Sequence, residues 1–327
     1  MNIERWVKLR KQTWEKLELL LRIVDNKGFR FLTHVQVQEF GKLYRATSAD
    51  LSRARSWNLS GETISSLNAL LVKAHNQIYQ SPQNRWQDLA RFLWFDFPML
   101  VRKRWQYIAF ATLLFLAAAL TGYRYTQTDI QFAKLEYAPG HPLVDDQIWH
   151  IVQKHKIWTD STEHFSPIAS SLIATNNIRV SALAFASGIT FGVGTLFVLL
   201  SNGLSIGTTF SVCQHYQVAT ALSAFVAPHG LLELTSIFIS GGAGLLIGFS
   251  LLFPGNYGRL DALRLVSKEA LLLFVGCVPL LLMAGLIEGF VSPRTDLDAS
   301  MKYLVSLTTF VFLIAYLFVP RRKRSRE

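Results

Sequence analysis

The sequence predicts an all-α protein in two parts: a helical bundle over residues 1–104 on the cytoplasmic side, and a polytopic bundle of membrane helices over 105–320. Two observations predict it. Residues 1–104 carry 18 Lys/Arg and 9 Asp/Glu, whereas the 79 residues from Asn177 to Gly255 carry only Arg179 and Glu233. No soluble fold needs so long an uncharged run. In the first part, apolar residues recur at three- and four-residue steps, as they do on one face of a helix. An ordinary soluble enzyme is thereby excluded.

The first part reads as three amphipathic helices. Ile3, Val7, Trp14, Leu17, Leu21 and Val24 stripe residues 3–25, with Arg10 interrupting the stripe and Asn26-Lys27-Gly28 ending the helix. Val37, Phe40, Tyr44, Leu51 and Ala54 mark a second over 36–56, and Leu67, Leu71, Ala74 and Ile78 a third over 62–80. Short loops between them predict an antiparallel bundle. Residues 84–104 crowd Trp86, Leu89, Phe92, Leu93, Trp94, Phe95 and Phe97 ahead of Arg102-Lys103-Arg104. That mixture suits an amphipathic helix in the headgroup region or a fourth bundle helix. The charged N-terminus has no apolar core of a signal peptide, so it is expected to stay on the side of synthesis.

Six stretches have the length and apolar content of a span: 105–123, 179–201, 203–227, 229–253, 270–291 and 302–320. The third carries Gln214, His215 and Gln217 at its midpoint, which leaves open a broken or re-entrant segment lining a cavity. Lys and Arg concentrate on the cytoplasmic side of membrane proteins. The excess of nine positive charges in 1–104, and of four in the polybasic tail 321–327, places both ends inside, and six crossings satisfy that parity. The segment 124–178 holds four Lys/Arg against six Asp/Glu and is expected outside, where His141, His150, His155 and His164 read as solvated loop histidines.

Four G-x-x-x-G pairs, Gly188/Gly192, Gly203/Gly207, Gly244/Gly248 and Gly285/Gly289, fall on four predicted spans and predict close backbone packing, within one subunit or in a homo-oligomer. Charge in hydrocarbon is costly, so Arg179, Glu233 and Glu288 call for a reason. The topology carries all three to the outer side. With His229, one helical turn before Glu233, they are expected to form a polar cluster, either a binding site or an Arg-to-Glu pair locking helices in register. Pro228 is expected to break the preceding helix.

No catalytic residue, metal ligand or cofactor site is predicted. His229 to Glu233 lacks the spacing of H-E-x-x-H, and neither a G-x-x-x-x-G-K-[ST] loop nor a G-x-S-x-G elbow is present. Cys213 and Cys277 sit in apolar stretches as buried thiols. The basic first part suits anionic lipid better than nucleic acid, which is not expected as a partner.

Four stretches resemble the stage II sporulation protein M family of integral membrane proteins: Glu39-Phe40-Gly41-Lys42-Leu43-Tyr44-Arg45 with Ala49-Asp50-Leu51 and Ala54-Arg55; Leu67-Asn68-Ala69-Leu70 through Ala74-His75-Asn76-Gln77-Ile78-Tyr79; Asn176-Asn177-Ile178-Arg179-Val180-Ser181 leading to Phe185-Ala186-Ser187-Gly188; and Pro228-His229-Gly230-Leu231-Leu232-Glu233-Leu234 leading to Ile239-Ser240-Gly241-Gly242-Ala243-Gly244. The resemblance implies a bacterial inner-membrane location and a non-enzymatic scaffold or assembly subunit for cell-envelope partners, as the family's named member gathers peptidoglycan-remodelling partners in spore formers. The alternative, drawn from the polar third span and the outer cluster, is a transporter or permease-like subunit.

Overall fold

The computed structural model describes residues 3–27, 31–79, 85–157, 166–294 and 296–319. The polybasic tail and His164 lie outside the described residues. The chain divides into two compact units, residues 1–88 and 89–327.

The first unit is a three-helix bundle of α1 (Ile3–Lys27), α2 (His34–Ser56) and α3 (Gly61–Tyr79). Thr33 starts α2 through a capping box in which Gln36 N–H donates to Thr33 Oγ1 and Thr33 N–H donates to Gln36 Oε1. The striped residues fill the centre: Leu17, Leu21, Val24, Phe40 and Ala74 in one cluster, and Leu51, Ala54, Leu67 and Leu71 in another. Arg10, which interrupts the stripe, has its reason in Asp50. The buried Asp50 carboxylate accepts from Arg10 Nε at 2.7 Å and from Trp14 Nε1 at 3.0 Å.

The division falls within α4 (Arg85–Arg91), and the second unit continues with a π-helical turn over 92–96 and α5 (Phe97–Lys103). Residues 89–104, grouped with the bundle on sequence grounds, fold against the membrane helices. The Phe97 ring lies where a side chain on Gly276 would be, Tyr316 Oη donates to Leu93 O, and Arg102 donates to Leu317 O. Lys103 and Arg104 both pair with Glu269.

The long helices are α6 (Trp105–Thr128), α8 (Ser166–Ala186), α9 (Val193–His215), α10 (Ala219–Leu252), α11 (Arg259–Phe290) and α12 (Ala299–Phe318), with a short α7 (Asp146–Val152) before α8. Five of them, α6, α9, α10, α11 and α12, are long and apolar enough to cross a membrane. α10 is central, in contact with each of the other five long helices. Its 34 residues rise about 51 Å, more than the hydrocarbon thickness requires.

Two expectations about the spans are corrected, and the break left open in the third span is found. The stretch 179–201 is not one helix. The chain turns at 187–192, where Phe191 and Gly192 take φ of 56° and 84°, so its halves belong to α8 and α9. The polar residues 214–217 mark the end of α9, with Gln217 at φ 60° in a tight turn into α10, so 203–227 is likewise divided between two long helices. Gln214, His215 and Gln217 are exposed there, and Gln214 accepts from Tyr123 Oη. Pro228 does not break a helix. It lies inside α10, where a proline lacks only its own N–H and the packed neighbours hold the rest of the helix together.

Glycines bring α9 onto α6 and the 187–192 turn onto α10, so the Gly188/Gly192 pair expected within a span lies in a turn instead. Gly203 and Gly207 of α9 sit against Phe115 O and Ala119 O of α6, and Gly188 and Gly192 sit against Gly244 and Gly248 of α10. Cβ atoms built on Gly188, Gly203, Gly207, Gly244 or Gly248 would meet backbone: at Gly207 the Ala119 carbonyl oxygen is 1.8 Å away, and at Gly188 the Gly244 oxygen is 2.2 Å away. Gly285 and Gly289 are buried on α11. At one end of the bundle a 3-10 turn over 130–134, an antiparallel pair β1 (Glu136–Ala138) and β2 (His141–Pro142), and α7 cover the α9–α10 turn. Ala133, Val144, Trp149, Val152 and Ile157 pack there on Val212, Cys213, Val218 and Leu222. His155 Nδ1 lies 2.8 Å from Tyr216 O, while His141 and His150 are exposed.

Candidate functional site

α10 and α11 come together next to the loop that joins α11 to α12, and there the packing brings ionisable groups into the apolar core. His229 and Glu233, one turn apart on α10, face Glu288 near the end of α11. One ligand atom from each of the three lies within 4.8 Å of the others. His229 Nε2 is 3.6 Å from Glu288 Oε1 and 3.9 Å from Glu233 Oε2. His229 is 2% exposed and Glu288 5%, so water contributes little to their solvation.

Neighbouring groups orient the trio. His229 Nδ1 lies 2.9 Å from Ser292 Oγ, which turns the ring so that Nε2 faces the carboxylates. Phe225, one turn before, meets the imidazole edge to face at 5.7 Å. Asn177 of α8 donates its side-chain N–H to Glu233 Oε1, leaving Oε2 toward the histidine. Lys302 Nζ donates at 2.7 Å to the carbonyl of the same Ser292. Buried Glu288 Oε2 has no hydrogen-bond partner.

Of the four residues the sequence groups together, the structure therefore unites His229, Glu233 and Glu288. Arg179 is exposed and pairs with no carboxylate among the described residues. Helical geometry gives the reason: residues 177 and 179 of α8 are about 200° apart around the axis, so when Asn177 faces Glu233 the arginine faces away. Asn177, Ser292 and Lys302 were not singled out from sequence. Asn177 lay in view as the polar residue two before Arg179, while Ser292 and Lys302 meet His229 only through the fold of the α11–α12 connection.

The arrangement can share a proton or hold a cation, since it offers one imidazole nitrogen and two carboxylates with few donors to balance them. The family of stage II sporulation protein M matches residues 111–293, more than half of the chain and all three members of the trio. A second family, described as a domain of unknown function (DUF8413), matches residues 4–80, the extent of the three-helix bundle. An uncharacterized protein of Methanocaldococcus jannaschii, MJ0793, is 29% identical over 124 residues, 37% of this chain and 70% of that protein. No solved structure matches.

Proposed function

The chain belongs to the stage II sporulation protein M family, a multi-pass membrane protein by its apolar helices, and from that membership we propose that it is a non-enzymatic scaffold or assembly subunit for cell-envelope partners in the inner membrane. The packing of the helices supports this reading most. Backbone touches backbone along α6–α9, and the Ala184 carbonyl of α8 and the 187–192 turn meet α10 at Gly244 and Gly248, at spacings that leave no room for a methyl group. Such a core holds its shape, because sliding the helices past one another would drive glycines into side chains. A rigid frame suits presenting fixed surfaces on both faces of a membrane.

In this proposal α8 supplies a sixth crossing beside the five apolar helices, so that both termini lie in the cytoplasm. The three-helix bundle docks a cytoplasmic partner, and the segment between α6 and α8 meets partners outside. Site-specific photo-crosslinking from α2 and from α7 in intact membranes, followed by identification of the captured proteins, tests the assignment. Recovery of the same envelope proteins from both sites supports the scaffold. Capture of lipid alone, together with solute flux into vesicles holding the purified protein, would replace it with a transport function.

A further inference from the structure

We propose that His229, Glu233 and Glu288 bind one divalent transition-metal ion of the Zn2+ class, joining α10 to α11 beside the α11–α12 loop. This goes beyond the scaffold reading and stands whether or not that reading holds.

The spacing of the three groups carries the argument. Nε2 of His229 lies 3.6 and 3.9 Å from the two carboxylate oxygens, beyond the reach of an N–H···O hydrogen bond. In a tetrahedral zinc site, bonds of about 2.0–2.1 Å put neighbouring ligand atoms about 3.3–3.5 Å apart. The observed gaps are thus too wide for direct hydrogen bonds, yet a few tenths of an ångström of closure makes them the edges of a coordination shell.

Orientation agrees. A metal-bound histidine characteristically donates its second N–H to a neighbour that fixes the ring. His229 has such a neighbour in Ser292 Oγ at 2.9 Å, which leaves the Nε2 lone pair directed at the carboxylates. Asn177 does the corresponding work for Glu233 by occupying the oxygen turned away from the histidine.

Charge and orphaned atoms complete the case. With a neutral imidazole and both carboxyls ionised, the trio would place two negative charges in a buried site. Lys302 is engaged on the Ser292 carbonyl, Arg294 pairs with Asp296, and Arg179 lies on the exposed side of α8. Glu288 Oε2, fully covered and without a hydrogen-bond partner, is the buried acceptor that a cation would satisfy. A dication brings the trio to neutrality. One imidazole with two carboxylates favours a first-row transition ion over Mg2+ or Ca2+, which take oxygen ligands alone. Three protein ligands leave a fourth position to water.

Full-length protein purified in detergent, stripped with a chelator and titrated with Zn2+ and with Co2+, tests the proposal. Expected are one equivalent bound per chain, a Zn2+-dependent rise in melting temperature, and visible Co2+ absorption bands of low-symmetry coordination. Glu288→Gln and His229→Gln should abolish the bands and weaken binding by about 100-fold or more, and Ser292→Ala by roughly tenfold, as loss of an orienting neighbour does. Should a variant fail to fold, X-ray absorption at the zinc edge of the parent protein decides, one imidazole with oxygen ligands and no sulfur being the required signature. Failure of the parent to bind either metal at micromolar concentration, or full binding by both glutamine variants, would overturn it and leave the carboxylates joined by a proton instead. Because the readout is metal content, its failure is distinct from failure to capture envelope proteins.

Discussion

Gly207→Ala is the substitution whose consequence follows most directly from the structure. A methyl group at this position would lie 1.8 Å from the carbonyl oxygen of Ala119 and 2.6 Å from its carbon, both backbone atoms of α6. An ordinary contact begins near 3.4 Å, so α6 and α9 must separate locally by about 1.6 Å. The two helices touch in the same way at Gly203 against Phe115 O and at Gly122 against Leu204 O, so the displacement loosens a seam and not one point. Overpacking costs about 1–3 kcal/mol and occasionally more, and a shift this large belongs at the upper end, about 3 kcal/mol, against about 1 kcal/mol gained from alanine's helix propensity. The expected net loss is about 2 kcal/mol. Gly241→Ala provides an internal comparison, because its methyl meets the side chain of buried Leu199, Cδ2 at 2.9 Å, and no backbone, and should cost less than Gly207→Ala. Gly41→Ala, whose methyl would be 3.8 Å from Arg45 Nη1, should stabilise the first unit by about 0.4–1 kcal/mol. Denaturant unfolding in mixed micelles, read for each unit by hydrogen exchange, measures the order. A Gly207→Ala protein as stable as its parent would refute the seam.

Asp50→Asn should destabilise the three-helix bundle by about 2 kcal/mol, since it weakens two hydrogen bonds to a buried carboxylate; faster amide exchange over residues 3–79, with exchange in α9 and α10 unchanged, is the result to look for. Cys213 and Cys277, both fully buried, should resist maleimide in the folded protein and label only on unfolding, so rapid labelling of the native state would contradict the packing around α9 and α11. Glu269→Gln should free the corner of α5 and α6 from α11 at a cost of up to about 1 kcal/mol that shrinks in high salt. Between α11 and α12, Asp296 accepts from Arg294 and is held below the ordinary value of 3.8 by that hydrogen bond. The pair's contribution is therefore present at neutral pH and disappears as pH falls through the depressed value. Arg294→Gln should return the carboxyl to the ordinary range in an NMR titration.

The first unit was legible because its helices bury a narrow stripe. Leu17, Leu21, Phe40, Leu67 and Ala74, read from spacing, are its core, and only the stripe ends Ile3, Val37 and Ile78 are exposed. The membrane helices were legible in composition but not in phase, and five helices, not six, are long and apolar enough to cross. Where every face is apolar, periodicity cannot locate a turn, and the turn at 187–192 depends on Phe191 and Gly192 taking positive φ. The same blindness put the polar run Gln214 to Gln217 in mid-span, although it ends one helix and begins the next. Within the site, His229 and Glu233 could be joined by helical spacing and Glu288 by membrane side. Arg179 could not be excluded by either rule. Its direction follows from which face of α8 meets α10, the face that sets the Ala184 carbonyl against Gly244.

Six helices crossing a bilayer would leave both ends of the chain on one side, and the position of Glu327 tests that proposal most directly. A fluorescent protein fused after this residue folds only in the cytoplasm, and an alkaline phosphatase is active only outside. Fluorescence with no phosphatase activity, matched by the same result at the N-terminus, is what six crossings predict. Phosphatase activity at Glu327 with a cytoplasmic N-terminus would mean five crossings, and α8 would then lie within the bundle without spanning the membrane.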